Sequence, residues 1–101
     1  MTRRLVVSAR AEADLREIWL YSYRNWGEAI ADRYLDELAT GLVACGSEPE
    51  RGRSREEVRP RYWSRLLGRH IAFHSVTEAE VRIQRVLHAS MDPGLHLEDD
   101  L

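Results

Sequence analysis

With 101 residues, 44% of them hydrophobic and 32% charged, the chain carries enough apolar material for one core and too much for a disordered protein. No apolar run approaches the roughly 20 residues that span a bilayer, and Leu5-Val6-Val7 is too short for a signal-peptide core, so a cytoplasmic location is expected. All 15 basic residues are arginine, which excludes a lysine general base, Schiff base or phosphate anchor and leaves planar guanidinium forks plentiful.

The first predicted element is a strand over 4 to 7 (RLVV), short and β-branched, running into Ser8 as a helix N-cap. From Ala11 onward, Ala11, Leu15, Ile18, Trp19 and Trp26 recur at helical spacing, with Glu12, Asp14, Arg16 and Glu17 on the other side. Gly27 breaks this helix, and the pattern resumes with Ile30, Ala31, Tyr34, Leu35, Leu38, Leu42 and Cys45 until Gly46. Two amphipathic helices joined by so short a turn lie antiparallel, as a helical hairpin. At this spacing Trp19, Trp26 and Tyr34 read as core. The single Cys45 excludes an internal disulfide and reads as a small buried side chain.

Between Gly46 and Arg59 periodicity is lost, and Pro49 and Gly52 mark a loop. Three strand-like runs follow: 62 to 67, then 70 to 76 after a Gly68-Arg69 turn, then 81 to 88 after a turn over 77 to 80. Strands so close in sequence pair as an antiparallel meander with the hairpin on one face. The expected architecture is therefore a single α+β domain over residues 1 to 101, in the order β-α-α-β-β-β. Tyr62 and Trp63, set among arginines, read as an exposed contact surface.

Charge is unevenly spread. Residues 1 to 50 hold six Arg against nine acids, residues 51 to 85 nine Arg against four, and residues 86 to 101 four acids and no Arg. A basic segment between two acidic ones suits an acidic protein partner or a phosphate backbone, and does not separate them.

The stretch RVLHASMD, residues 85 to 92, carries the sharpest chemical question. Alternation in the last strand places Val81, Ile83, Arg85 and Leu87 on one face and Arg82, Gln84, Val86 and His88 on the other. Arg85 interrupts a core-like set, so either a bulge changes the phase or its stem is buried while its head reaches an edge. His88 with Arg82 and Arg85, joined by Arg59, Arg61, Arg65 and Arg69 from the preceding segment and by Glu56 or Glu57 as a second proton-transfer group, could serve phosphodiester cleavage, in which His moves protons and Arg stabilises charge. A His beside Arg on a strand is nonetheless more often a hydrogen-bonded or surface residue. His70 and His74 lie four apart on a strand with more than about 12 Å of backbone between them, so no metal site is expected. No phosphate loop or nucleophile motif is present, and no cofactor is expected.

Several segments in order and spacing carry a resemblance: AEADLREIWLYSYRNWGEAIADRYLDEL for the hairpin, EPERGRSREEVRP for the loop and IQRVLHASMDPGLHL for the last strand and tail. The most specific parts are Asp14-Leu15-x-x-Ile18, Trp26-Gly27, and Arg85-Val86-Leu87-His88 followed by Met91-Asp92. Together they resemble the ParE toxins of the RelE/ParE superfamily, the toxic halves of type II toxin–antitoxin pairs. The resemblance implies a RelE/ParE-like fold and neutralisation by an acidic, ribbon-helix-helix ParD-like antitoxin. It also implies poisoning of DNA gyrase through protein binding without catalysis, with DNA met only through antitoxin or gyrase and no membrane involved. RelE-like relatives instead cleave messenger RNA on the ribosome, with sites built from Lys and Arg and a late Tyr, or from a Glu-Arg-His set. This chain has no Lys and its last Tyr is Tyr62, which favours the gyrase branch. The expected target or antitoxin contacts are Arg59, Arg61, Arg69, Arg82, Arg85, His88, Met91 and Asp92. The alternative nuclease would use His88, Arg82 and Arg85, and a third possibility is a repressor complex that has lost toxicity.

Overall fold

A computed structural model of the chain describes residues 3–91. Strand β1 (Arg4–Val7) leads directly into helix α1 (Ala9–Trp26), and Ser8 at the junction serves both. Its hydroxyl oxygen accepts from the Ala11 amide at 3.0 Å, capping the helix, while its O–H donates to the Gln84 carbonyl and its amide to that of Ile83, both at 2.9 Å. One residue thus caps the helix and pins it to the last strand. Gly27, at φ 87°, is the whole connection to helix α2 (Glu28–Ser47), a left-handed conformation that favours glycine. α2 runs one residue beyond the expected stop at Gly46.

The loop holds a two-residue strand, β2 (Arg53–Ser54), too short to show in a pattern; it pairs antiparallel with β3 (Tyr62–Leu67). β4 (His70–Val76) and β5 (Glu80–His88) complete an antiparallel meander, and β1 joins the far edge parallel to β5, giving the order β1-β5-β4-β3-β2. Gly68 turns β3 into β4 at φ 61°, and a Cβ there would sit 3.1 Å from the Tyr34 ring and hydroxyl. The turn is therefore glycine both for its backbone and for the close pass of α2.

The hairpin packs on one face of the sheet, where Ala11, Ile18, Leu38, Leu42 and Cys45 meet Ala72, Ile83 and Val86. Neighbouring residues of β4 and β5 point the other way: Phe73 and Leu87 join Tyr62 in a second cluster closed by Val58 and Ile71. Tyr62, expected as an exposed contact, is 1% exposed; it is core because the loop before β3 folds back over that face, while Trp63 is half-buried. Trp26 is the opposite case, expected in the core and 50% exposed, because the hairpin tip projects past its sheet-facing contacts. Trp19 and Tyr34 are half-buried.

The last strand also departs from simple alternation. Phe73 pairs with Arg85 but His74 pairs with Ile83, so Gln84 is an extra residue at a β-bulge. The phase therefore slips: Val86, not Leu87, reaches the hairpin-side core, and Arg85 shares the side of Phe73 and Leu87. Arg82 and His88, expected on one open face, lie on opposite sides of the sheet.

Candidate functional site

Strand β1 accompanies β5 only as far as Ile83, so beyond that point the edge of β5 is open to α1. Asp14 on α1 fills the gap. Its Oδ2 accepts from the Val86 amide at 2.9 Å and from Arg85 Nε at 2.8 Å, and its Oδ1 accepts from Arg85 Nη2 at 3.0 Å. One carboxylate thus closes a strand edge and holds a guanidinium in a two-pronged pair, with the side chains only 10% and 15% exposed. Both readings of Arg85 made from the strand pattern hold, since a bulge shifts the phase and the head reaches an edge.

Above this pair a groove of about 890 Å³ opens between the hairpin tip and the end of β5. Ile18, Val86 and Leu87 line its base, and Tyr21, Trp26, Ile30 and Met91 its walls. The four wall residues are 62%, 50%, 42% and 36% exposed, a contiguous apolar surface of the kind that marks a protein contact. Tyr21 and Trp26 meet edge to face with ring centroids 5.8 Å apart.

The other end of the groove is polar. The Arg69 amide donates to Tyr34 Oη at 3.1 Å, and that oxygen lies 2.6 Å from His70 Nδ1. His70 is the ladder partner of His88, and their rings meet edge to face at 5.3 Å. Ser90 donates its amide to His88 Nδ1 at 3.1 Å, with its hydroxyl 2.7 Å from the same nitrogen. Burial, and then the neighbouring His88, push the His70 pKa below its ordinary value, favouring the neutral ring.

Of the residues singled out in the sequence, Arg69, Arg85, His88 and Met91 line this groove. Arg82 does not: its Nε donates to Glu80 Oε2 at 3.0 Å on the opposite face. Burial raises the Glu80 carboxyl, but hydrogen bonds and charge from Arg4 and Arg82 outweigh it and hold the group below its usual range. Arg59 and Arg61 belong to the loop before β3. The Arg59 guanidinium lies 5.2 Å from the Tyr62 ring centroid, and Arg61, at φ 57°, donates its amide to Glu56 at 3.1 Å. Asp92 lies outside the described residues. Glu57 pairs with Arg55 at 3.6 Å, so both acids of the nuclease set stand with the loop. That loop packs by Tyr62, whose ladder partner is Ser75, about 17 Å along β4 from His70 and His88. Tyr21, Trp26, Ile30, Tyr34 and His70 are groove residues that the sequence patterns did not single out as a site. The available signal was Trp26 and Ile30, two large apolar residues flanking a one-residue turn.

Among the described residues no helix is long and apolar enough to cross a membrane, and no group of three or more His, Cys, Asp or Glu is placed to hold a metal ion. His74, the other histidine of the strand pair, is fully buried and sits 2.6 Å from the Pro49 carbonyl.

The model of the family described as the ParE toxin of the type II toxin–antitoxin system parDE matches residues 5–93. The chain belongs to the ParE toxin family. Toxin ParE1 of Mycobacterium tuberculosis is 39% identical over 98 residues, covering 96% of this chain and all of that one. Toxin ParE1 of Caulobacter vibrioides is 38% identical over 91 residues (90% and 94% of the two chains), and Toxin ParE of Escherichia coli 33% over 99 (95% and 94%). In three dimensions the chain is similar to a chain of the chromosomal ParDE system from P. aeruginosa, with a TM-score of 0.76 over 86% of this chain and 96% of that one. At 19% identity this likeness speaks for the fold, the expected α+β arrangement of two helices on a mixed sheet. The family match makes the protein a toxin of the ParDE type II toxin–antitoxin class.

Proposed function

We propose that this toxin acts by binding DNA gyrase, without catalysing a reaction of its own, and that a ParD-like antitoxin neutralises it by laying an apolar segment into the groove between the hairpin tip and β5. The observation that carries the antitoxin reading is the groove itself: Tyr21, Trp26, Ile30 and Met91 present apolar surface around a base of Ile18 and Leu87. Such a surface suits an amphipathic helix or extended segment with two or three large apolar side chains. An acidic ribbon-helix-helix protein would add charge complementarity to the arginine-rich second half.

What supports binding over cleavage is the use of the arginines. Arg85 is committed to Asp14 and the closure of the strand edge, and Arg82 to Glu80 on the face away from His88. Arg59, Arg61 and Arg69 lie on the surface as contacts for a protein target, with DNA reached only through gyrase or antitoxin and the action set in the cytoplasm.

The test is a pair of purified reactions. Added to gyrase and supercoiled plasmid, the toxin should cause cleaved DNA to accumulate, while a purified translation system continues to make protein. Codon-specific cleavage of ribosome-bound message, with gyrase unaffected, would overturn this reading in favour of a RelE-type endoribonuclease.

A further inference from the structure

At the polar end of the groove, Nε2 of His70 and Nε2 of His88 meet no hydrogen-bond partner among the described residues. His88 Nδ1 receives the Ser90 amide, so it is the acceptor nitrogen and the proton of the neutral ring sits on Nε2. In His70 it is Nδ1 that meets Tyr34 Oη, which also accepts from the Arg69 amide, so Nε2 is the ring nitrogen that can face a ligand. Both rings line the groove, each has its Nδ1 in contact with a residue of its own chain, and Arg69 lines the groove with them.

We infer that His70, His88 and Arg69 form a carboxylate-binding subsite, which takes an Asp or Glu side chain of the antitoxin segment in the apolar groove and makes that grip tighten as pH falls. The inference rests on the antitoxin reading of the groove. Two imidazoles and an arginine lining one end of an apolar trough suit a segment whose large apolar residues are followed by an acid. A carboxylate bound at Nε2–H would favour the imidazolium form of whichever ring it touches, the new Nδ1–H then donating to Tyr34 Oη in His70 or to Ser90 Oγ in His88, so binding takes up protons. The groups around the pair are Tyr34 from α2, Arg69 from the β3–β4 turn, Ser90 beyond β5, and Glu17 and the Asp14–Arg85 pair from the α1 side. The lining holds two acids, Asp14 and Glu17, and two arginines, Arg69 and Arg85, so by formal charge the groove is near neutral when both histidines are uncharged and cationic when either is protonated. An acidic partner is therefore held more firmly at lower pH.

The experiment is calorimetric titration of the full-length toxin with its cognate antitoxin between pH 8 and pH 6, in two buffers of different ionisation heat, with the fold followed by circular dichroism. Expected are proton uptake on binding and an affinity rising up to about tenfold for each ring whose pKa moves one unit. His88→Gln and His70→Gln should each reduce the slope while still forming the complex at pH 8. One Asp→Asn or Glu→Gln change in the antitoxin should reproduce that loss. A pH-independent affinity, or a slope unchanged in both histidine variants, overturns the subsite and leaves the antitoxin reading standing. A Trp26→Ala toxin that binds antitoxin as well as the parent overturns the groove reading instead, and the subsite with it. If deleting residues 95–101 from antitoxin-free toxin shifts the titration of His70 or His88, the chain's own acidic segment is the occupant and the assignment to antitoxin fails.

Discussion

Replacing Asp14 by alanine removes one small side chain and breaks three hydrogen bonds, two from Arg85 and one from the Val86 amide. The guanidinium then stays in a site where its side chain is 10% exposed and loses the carboxylate that binds two of its nitrogens, and breaking a buried pair costs about 3 to 5 kcal/mol. The Val86 amide adds its own desolvation term of about 1 to 3 kcal/mol where no water reaches it. The two losses share one carboxylate and are not additive, so the expected destabilisation is about 3 to 4 kcal/mol. For a domain near 100 residues that corresponds to a fall in Tm of roughly 12 to 30 °C. Urea unfolding followed by far-ultraviolet circular dichroism measures it. Asp14→Asn, which still offers an oxygen to the Val86 amide, should fall between parent and alanine variant. Replacing both partners, as in Asp14→Leu with Arg85→Met, should cost less than Asp14→Ala alone, because no charge is left buried. A loss below about 1 kcal/mol for Asp14→Ala would show that the pair does not hold helix and strand together.

Trp26→Ala should change stability by less than about 1 kcal/mol, since the residue is half exposed, yet weaken antitoxin binding by at least about 2 kcal/mol, roughly thirtyfold, as a central aromatic contact does; titration calorimetry beside a melting curve separates the two. Gly52→Ala drives a Cβ into the Ser64 carbonyl oxygen, so β2 should detach from β3 at a cost of about 1 to 3 kcal/mol, seen as faster amide exchange at Arg53 and Ser54. Stability should fall as pH drops below about 6.5. Burial holds the His74 and His70 pKa values down in the folded chain, so the unfolded chain takes up protons first; unfolding midpoints at pH 7.5 and 5.5 should differ, and less so in a His74→Gln variant.

The order of elements was legible in the sequence because each carries its own local signal: Ser8 before a helical period, Gly27 between two such periods, and β-branched runs separated by Gly68-Arg69. What escaped depends on distance or on backbone phase. Periodicity places Trp26 on the apolar face of α1 but cannot say where the opposing sheet ends, so a groove wall reads as core. Tyr62 errs in the other direction, because its cover comes from a loop without periodicity. The extra residue at Gln84 has no compositional mark, yet it moves Val86 inward and separates Arg82 from His88. Asp14 and Arg85 lie 71 residues apart, so no spacing rule joins them, although each belongs to a motif that carried the family resemblance. That resemblance ran nearly end to end, and the family match covers residues 5–93.

The parallel pairing of β1 with β5 bears on when the molecule becomes dangerous. Leu5 meets Val81, Ser8 bonds to the Gln84 carbonyl, and Asp14 waits for Arg85, so the N-terminal segment finds its partners only in the last strand. During synthesis the helical hairpin can form early from local contacts, but the sheet beneath it stays open until β5 has left the ribosome. A growing chain is thus an incomplete toxin for nearly its whole length. The groove, whose base is Val86 and Leu87, comes into being at the same moment as the finished fold. On the proposed antitoxin reading of the groove, a docking surface would be present as soon as there is anything to neutralise.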